Sequence, residues 1–132
     1  MIIGIDASRA NRRLKTGTEW YSFALIQALK KIIGHPTGDR VLLYTNTPLE
    51  GGLEQCPDGW EERRLGWRFG RLWTQIRLSW EMFWQPPDVL FIPAHTIPLI
   101  HPKRTIVTIH DIGFERLPEL YRWYDRLYHQ FA

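Results

Sequence analysis

The chain has 132 residues, a length that fits one domain and leaves no room for two. Apolar residues make up 44% and charged residues 23%, and these ordinary values argue against a disordered chain. The net charge of +3 is below that of a dedicated nucleic-acid binder, although it favours phosphate-bearing or membrane-surface partners.

The first third of the chain predicts a strand, a loop and a helix. Residues 2–6 (IIGID) form a short β-branched run that predicts a buried first strand. A polar, basic loop follows, and apolar residues at three- and four-residue spacing then predict a helix over residues 18–33. Thr18 is the expected N-cap of this helix and Gly34 its expected C-terminal stop.

The middle of the chain predicts two more strands and a second helix. Residues 41–45 (VLLYT) form the second strand, and residues 46–59, with three Gly and two Pro, predict a surface loop. A short third strand is expected over residues 61–65. Residues 71–84 carry apolar side chains on one broad face and predict a helix, which the Pro-Pro pair at 86–87 ends.

The last third of the chain predicts two buried strands and a final helix. Residues 88–93 (DVLFIP) and 104–110 (RTIVTIH) are rich in Val, Ile, Leu and Phe, as expected for strands covered on both faces. A helix is expected from about residue 118 to residue 132. Strands that alternate with helices predict an α/β, Rossmann-like parallel sheet with helices on both faces.

The sequence predicts no targeting segment and no membrane-spanning segment. The apolar run that opens the chain is too short for a signal peptide and lacks a basic leader. No stretch approaches the roughly 20 apolar residues of a membrane span. The single cysteine, Cys56, excludes an intramolecular disulfide, and no Cys/His grouping has zinc-finger spacing. We therefore expect a cytoplasmic protein, soluble or at most peripheral to a membrane.

In open parallel sheets, ligands bind at the carboxyl ends of the strands, near the point where strand order reverses. This rule selects the loop after Asp6, the loop 93–98 and the pair His110-Asp111. In the first of these, Thr16, Gly17 and Thr18 lie where the chain turns into a helix, so Gly17 could let a phosphate approach the free backbone N–H groups. Alternatively, Gly17 serves only the turn. The pattern is neither G-x-G-x-x-G nor a Walker loop, which leaves dinucleotide and NTP binding unsupported.

Two histidines lie at the carboxyl ends of predicted strands, at the same end of the sheet. His110 faces the expected cleft, where it could hydrogen-bond a sugar hydroxyl or a phosphate, and Asp111 could orient it or act on an acceptor hydroxyl. His95, in the loop after the fourth strand, has a similar position. The alternative for each is a structural role: His110 as a satisfied strand-end residue, His95 as a satisfied loop residue, and Asp111 as the cap of a turn.

The segment 60–84 is unusually rich in tryptophan and arginine. Five of the seven tryptophans fall within it: Trp60, Trp67, Trp73, Trp80 and Trp84. These rings could be core that covers the sheet. With the accompanying arginines, they could instead form a membrane-surface helix. Stacking on single-stranded nucleic acid is a third interpretation, which nothing else in the chain favours, so no nucleic-acid partner is predicted.

Several blocks of the sequence resemble, in order, the amino-terminal half of retaining GT-B glycosyltransferases of the family-four type. These blocks are IGIDASR, TGTEWY, DVLFIPAH and TIVTIHDIGFERLPE, and the resemblance runs from Ile2 to Phe131. Trp20 stands where the family commonly has Arg. Enzymes of this type move a sugar from a nucleotide-sugar donor to an acceptor, retain the anomeric configuration and use no metal or other cofactor. Their donor lies in a cleft between two Rossmann-like domains.

The resemblance also implies roles for individual residues. Gly17, flanked by Thr16 and Thr18, would match the glycine whose backbone approaches the donor diphosphate. His110 would match the strand-end histidine that contacts the transferred sugar, and Asp111 would have a positioning role in the same motif. The candidates for polar contacts with the acceptor or within these loops are Arg9, Lys15 and His95.

The resemblance also divides the function between two domains. Residues 1–132 would be the acceptor-side domain, and the carboxyl-terminal domain that grips the nucleotide is not among them. We therefore expect a fragment, a truncated gene product or one half of a split enzyme, inactive without a GT-B half in the same or another chain. A non-catalytic module that binds sugar or phosphate and a peripheral membrane adaptor stay open as alternatives, as does pairing with a second copy.

Overall fold

The computed structural model describes residues 1–33, 38–69 and 72–110. Its strands are β1 (Ile2–Asp6), β2 (Arg40–Thr45), β3 (Trp60–Arg64), β4 (Val89–Ile92) and β5 (Thr105–Val107). Its helices are α1 (Gly17–Ile32), a π-helical segment (Trp73–Leu78) and α2 (Ser79–Trp84), which continues that segment. No helix in these ranges combines the length and the apolar character needed to cross a bilayer.

All five strands are parallel, and they form one sheet in the order β3-β2-β1-β4-β5. The chain moves outward from β1 to β3, then returns to the other side of β1 for β4 and β5. Strand order therefore reverses between β1 and β4, and this is where an open parallel sheet offers a crevice at its carboxyl edge. The predicted α/β, Rossmann-like fold is confirmed.

One face of the sheet is covered by α1 and by the loop 46–59. Ile26 of α1 packs on side chains from β1 and β2, and the loop adds two leucines; the buried set is Ile5, Val41, Leu43, Leu49 and Leu53. The connection between parallel strands β2 and β3 thus has no helix. Its two leucines take over the covering role that a crossover helix usually has.

The opposite face of the sheet is covered by the helical segment 73–84. Its buried side chains pack on β2 and β4, and the cluster contains Tyr44, Leu65, Trp73, Leu78, Met82, Leu90 and Ile92. Gly4 of β1 allows this close packing: a Cβ atom there would lie 2.6 Å from Cε2 of Tyr44 and 2.9 Å from Cγ of Pro87. The predicted covering of both faces therefore holds for the described sheet.

The tryptophan-rich segment contains both buried and exposed rings. Trp60 and Trp73 are buried, and each indole Nε1–H donates to a backbone carbonyl. The interpretation of these two rings as core is confirmed. For Trp80 and Trp84 it is wrong, because their side chains lie exposed on the outer side of α2.

Helix α1 begins earlier than the sequence predicted. Its N-cap is Thr16 rather than Thr18, and the helix spans Gly17–Ile32 rather than 18–33. The cause is a capping box, in which the carboxylate of Glu19, the third residue of the helix, accepts a hydrogen bond from the Thr16 N–H at 3.1 Å. The predicted stop, Gly34, lies outside the described residues.

Three other elements are shorter than predicted. Strand β4 spans Val89–Ile92 instead of 88–93. The second helical segment begins at Trp73 instead of residue 71, because Leu72 has a left-handed φ of 62° that does not continue a helix. Strand β5 covers only Thr105–Val107 of the predicted 104–110, because its partner β4 ends at Ile92, before a proline. The helix expected over 118–132 lies outside the described residues.

Candidate functional site

Three elements meet at the carboxyl edge of the sheet, and the carbonyl of Pro93, directly after β4, joins them. Nε2 of His110 lies 2.8 Å from Pro93 O, and Oγ of Ser22 lies 3.2 Å from the same atom. The ring of Tyr21, also on α1, packs edge-on against the imidazole with 4.8 Å between centroids. The structure therefore brings His110 against both α1 and the loop after β4.

The contact with Pro93 determines which nitrogen of His110 carries a proton in the neutral ring. A carbonyl oxygen only accepts hydrogen bonds, so Nε2 must be the donor. Nδ1 of a neutral imidazole is then an acceptor, which can receive a hydrogen bond from a hydroxyl group. His110 is half-buried. Its predicted partner Asp111 lies outside the described residues.

The start of α1 is open to solvent within the described part of the chain. Thr16 and Gly17 are exposed, and a Cβ atom added at Gly17 would meet nothing within 4 Å. The positive-φ glycines are Gly38, Gly51, Gly52 and Gly59, so Gly17 is not in the left-handed region that favours glycine. Neither the turn nor packing within the described chain requires glycine at this position. Thr18, beside it, is half-buried and its carbonyl accepts from Ser22 Oγ at 2.8 Å.

Glu19 is a charged residue of this region that the motif analysis missed. Its carboxylate is buried at the start of α1, is bonded to the Thr16 N–H and hydroxyl, and has Arg9 and Arg12 at 3.6 and 3.7 Å. Burial raises the pKa of Glu19, but the Thr16 hydrogen bonds and the charge of Arg12 outweigh it, so the pKa lies below its ordinary value. The T-x-x-E spacing from Thr16 was the available sequence signal.

The two basic candidates of the first loop have different surroundings. Arg9 is part of the ion pairs around Glu19. Lys15 Nζ donates to the carbonyl of Arg12 at 2.7 Å and lies 5.6 and 5.2 Å from the ring centroids of Trp20 and Phe23. Lys15 is therefore engaged on the side of α1, whereas Arg9 lies next to the helix start.

Asp6 ends β1 at the switch point and is 3% exposed. Its Oδ1 accepts a hydrogen bond from the Ser8 N–H at 2.9 Å. Burial raises the pKa of Asp6 above its ordinary value, despite the Ser8 hydrogen bonds and the nearby charge of Arg9. Asp6 therefore adds a buried polar group at the switch point, which the sequence indicated only as a strand end.

The loop after β4 contains a polar group without a hydrogen-bond partner in the described chain. Thr96 is 5% exposed, and its Oγ1 makes no hydrogen bond there. Pro93 and Pro98 are fully buried on either side and hold the loop in place. His95, the predicted contact residue, is half-buried between them. A buried hydroxyl of this kind is costly unless something binds it.

Other regions of the described chain offer less for catalysis. Among residues 1–33, 38–69 and 72–110, no three His, Cys, Asp or Glu residues are grouped so that they could hold a metal ion. An open groove of about 370 Å³ lies beside the second half of α1, lined by residues that include Lys30 and Cys56. Lys30 Nζ donates to the carbonyls of Leu53 and Gln55 at 2.6 and 2.9 Å, which gives it a structural role in the loop 46–59.

The structure brings together most of the predicted site residues that it describes. Gly17, Thr16, Thr18 and Arg9 surround the start of α1, and Tyr21 connects this helix to His110. Lys15 is engaged elsewhere, and Asp111 is not described.

Comparisons of the chain with protein-family models, with curated proteins and with solved structures find no match.

Proposed function

We propose that this domain forms one wall of the cleft of a retaining glycosyltransferase, with the donor bound at the carboxyl ends of β1, β4 and β5. The observation that carries the proposal is the ring contact between Tyr21 and His110. Tyr21 lies four residues after Gly17, and four helical residues span about 6 Å. A diphosphate at the helix start and its attached sugar beside His110 would therefore occupy adjacent positions.

The groups around this crevice suit the charges of a glycosyl transfer. The leaving diphosphate needs positive potential, which the free N–H groups at the start of α1 and the guanidinium of Arg9 would supply. The sugar needs hydrogen-bond partners for its hydroxyls, and Nδ1 of His110 would provide one of them. Asp6, buried at the end of β1, is a further polar group at the switch point.

The proposed reaction divides the work between two domains. This domain would hold the acceptor and approach the transferred sugar, and a second Rossmann-like domain, in the same or another polypeptide, would grip the nucleotide. We therefore expect the 132-residue chain alone to bind a nucleotide-sugar weakly and to transfer no sugar. The family resemblance of the DVLFIPAH and TIVTIHDIGFERLPE blocks supports this division of roles.

The binding step is tested by NMR titration of the chain with UDP-glucose and GDP-mannose. We expect amide shifts at Ser8, Gly17, Thr96 and His110. The substitution His110→Ala should weaken binding by roughly tenfold, since it removes one hydrogen-bonding side chain. The control is His101→Ala, because His101 is exposed before β5, at the opposite edge of the sheet. Shifts confined to the groove beside Lys30 would contradict the proposal.

Gly17→Ala separates a binding role of this glycine from a structural one. Alanine fits the described chain, because its Cβ would meet nothing within 4 Å, and alanine is the better helix former. The free energy of unfolding should therefore stay equal or rise by up to about 1 kcal/mol, while affinity for the nucleotide-sugar falls. Unchanged affinity would remove Gly17 from the proposed site.

Transfer itself distinguishes an enzyme from a binding module. The assay measures sugar transfer from UDP-glucose and GDP-mannose by the chain alone and joined to the carboxyl-terminal domain of a family-four enzyme. Transfer that appears only in the joined protein and is lost with His110→Ala supports the proposal. Turnover by the chain alone contradicts the division of roles, and tight binding that no added domain converts into transfer favours a non-catalytic module.

A further inference from the structure

The outer side of the helical segment 73–84 carries a continuous apolar face. Trp80, Phe83 and Trp84 are 60%, 58% and 63% exposed, although they belong to a helix that covers the sheet. Trp84 contacts both other rings, with centroids 6.0 Å from Trp80 and 5.2 Å from Phe83. We call this face the aromatic surface; its exposed members are Phe69, Leu72, Ile76, Trp80, Phe83 and Trp84.

A groove connects the two ends of the aromatic surface. It has a volume of about 410 Å³ and is lined by Trp67, Ile76, Arg77 and Trp80. The ring of Trp67 in turn contacts Phe69, with 5.5 Å between centroids. The apolar face therefore extends from the loop after β3 to the end of α2. Exposed faces of this extent mark interaction sites more often than isolated exposed residues do.

The charge that borders the aromatic surface is positive. Arg68 is exposed between Trp67 and Phe69 in sequence. From residue 65 to residue 84 the one acidic residue is Glu81, which is buried and paired with Arg63 at 2.9 Å and Arg77 at 3.2 Å. No carboxylate of this segment is therefore left to repel an anionic partner.

This charge decides between two occupants of the aromatic surface. In a symmetric pair of copies, the same face would meet itself and bring one basic border against the other, which is unfavourable. An anionic bilayer attracts the same arginine, and its interface is where tryptophan rings are enriched. We propose that the aromatic surface docks this domain on an anionic lipid bilayer, with Trp80, Phe83 and Trp84 at the headgroup level and Arg68 against the lipid phosphates. This inference does not depend on the proposed glycosyltransferase function.

Vesicle sedimentation of the full chain tests the inference. The probes are vesicles of phosphatidylcholine alone and vesicles of phosphatidylcholine mixed with phosphatidylglycerol. We expect sedimentation with the anionic vesicles only, and its decrease as salt concentration rises. Replacement of Trp80 or Trp84 by alanine should weaken binding by roughly tenfold each. Arg68→Glu should also weaken it by roughly tenfold, because it replaces one attraction by a repulsion.

Matched controls separate the aromatic surface from general properties of the protein. Trp20→Ala removes a tryptophan that is 56% exposed on α1, at the opposite face of the sheet, and Lys31→Glu reverses an exposed charge on the same helix. Both variants should bind as the unchanged protein does, and circular dichroism should show that every variant is folded.

Three outcomes would overturn the inference. The first is that the folded protein stays in the supernatant with anionic vesicles, as it would if residues 111–132 or another copy of the chain covered the aromatic surface. If another copy covers the surface, the molecular mass from light scattering will be that of a dimer, and Trp80→Ala will reduce it to that of a monomer. The second outcome is binding that ignores lipid charge and salt. The third is binding that Trp20→Ala weakens as much as Trp84→Ala does.

Discussion

The capping box at the start of α1 gives a prediction that can be followed through pH. In Glu19→Ala, the Thr16 N–H and hydroxyl lose their acceptor, and Arg9 and Arg12 lose the carboxylate at 3.6 and 3.7 Å. A hydrogen bond to a charged group contributes about 1.5–3 kcal/mol, and exposed ion pairs add less than about 1 kcal/mol. Glu19→Ala also removes the desolvation cost of the buried carboxylate, and this offsets part of the loss of stability. We therefore expect a decrease of about 2 kcal/mol in the free energy of unfolding, or roughly 8 °C in Tm.

Glu19→Gln isolates the part of this stability that comes from charge. Glutamine also completes a capping box, so the hydrogen bonds are kept. The interactions of the charge with the helix dipole and with the arginines are lost, which should lower the free energy of unfolding by about 1 kcal/mol. The folded-state pKa of Glu19 lies below its unfolded value. The carboxylate therefore stabilises the fold above the unfolded pKa, and this contribution is lost as pH falls through the folded pKa.

Urea denaturation followed by circular dichroism, at neutral pH and in acid, measures both effects. The control is Glu61→Gln, because Glu61 is exposed and its ion pair with Arg40, at 2.5 Å, lies at the surface. This variant should lose less than about 0.5 kcal/mol of the free energy of unfolding. The explanation fails if Glu19→Gln is as stable as the unchanged protein at neutral pH. It also fails if the deficit is the same in acid.

Two further substitutions test the packing and the burial of β1. Because burial raises the folded-state pKa of Asp6, its ionisation costs stability as pH rises through that pKa, so Asp6→Asn should raise the free energy of unfolding at neutral pH by on the order of 1 kcal/mol. A loss in urea denaturation would contradict this. Gly4→Ala should lower Tm, for a cost of about 1–3 kcal/mol, because its Cβ would lie 2.6 Å from the Tyr44 ring. An unchanged Tm would show that the ring can move aside.

Four of the five strands could be predicted from the sequence because they are short apolar runs bounded by turn residues, as in VLLYT and DVLFIP. Strand β3 lacks this signal, since four of its five residues are charged. Helix limits were harder to predict. Thr16 and Thr18 are both good N-caps, and only the spacing from Thr16 to Glu19 decides between them. The extent of β5 depends on its neighbour, since β4 ends before Pro93, and no pattern within residues 104–110 shows this.

The exposure of Trp80 and Trp84 could not be predicted, because the sequence pattern places them on the same broad apolar face as Trp73. The π-helical turn over Trp73–Leu78 also changes which residues share a face. Trp73, Leu78 and Met82 thus enter the core, and Trp80 and Trp84 are left outside. In the candidate site, the motifs predicted that Gly17 and His110 share one end of the sheet. The backbone carbonyl of Pro93 that fixes His110 has no sequence signature.

The two edges of the sheet differ in how they would receive another strand. On β3, four charged residues stand in succession, Glu61 to Arg64, and an edge of this kind resists pairing with a second chain. In the described part of the chain, β5 forms the other edge; it has three uncharged residues, and Ile106 is exposed. Within the described part of the chain, growth of the sheet by strand addition, including aggregation in a partly unfolded population, would therefore be favoured at β5 over β3.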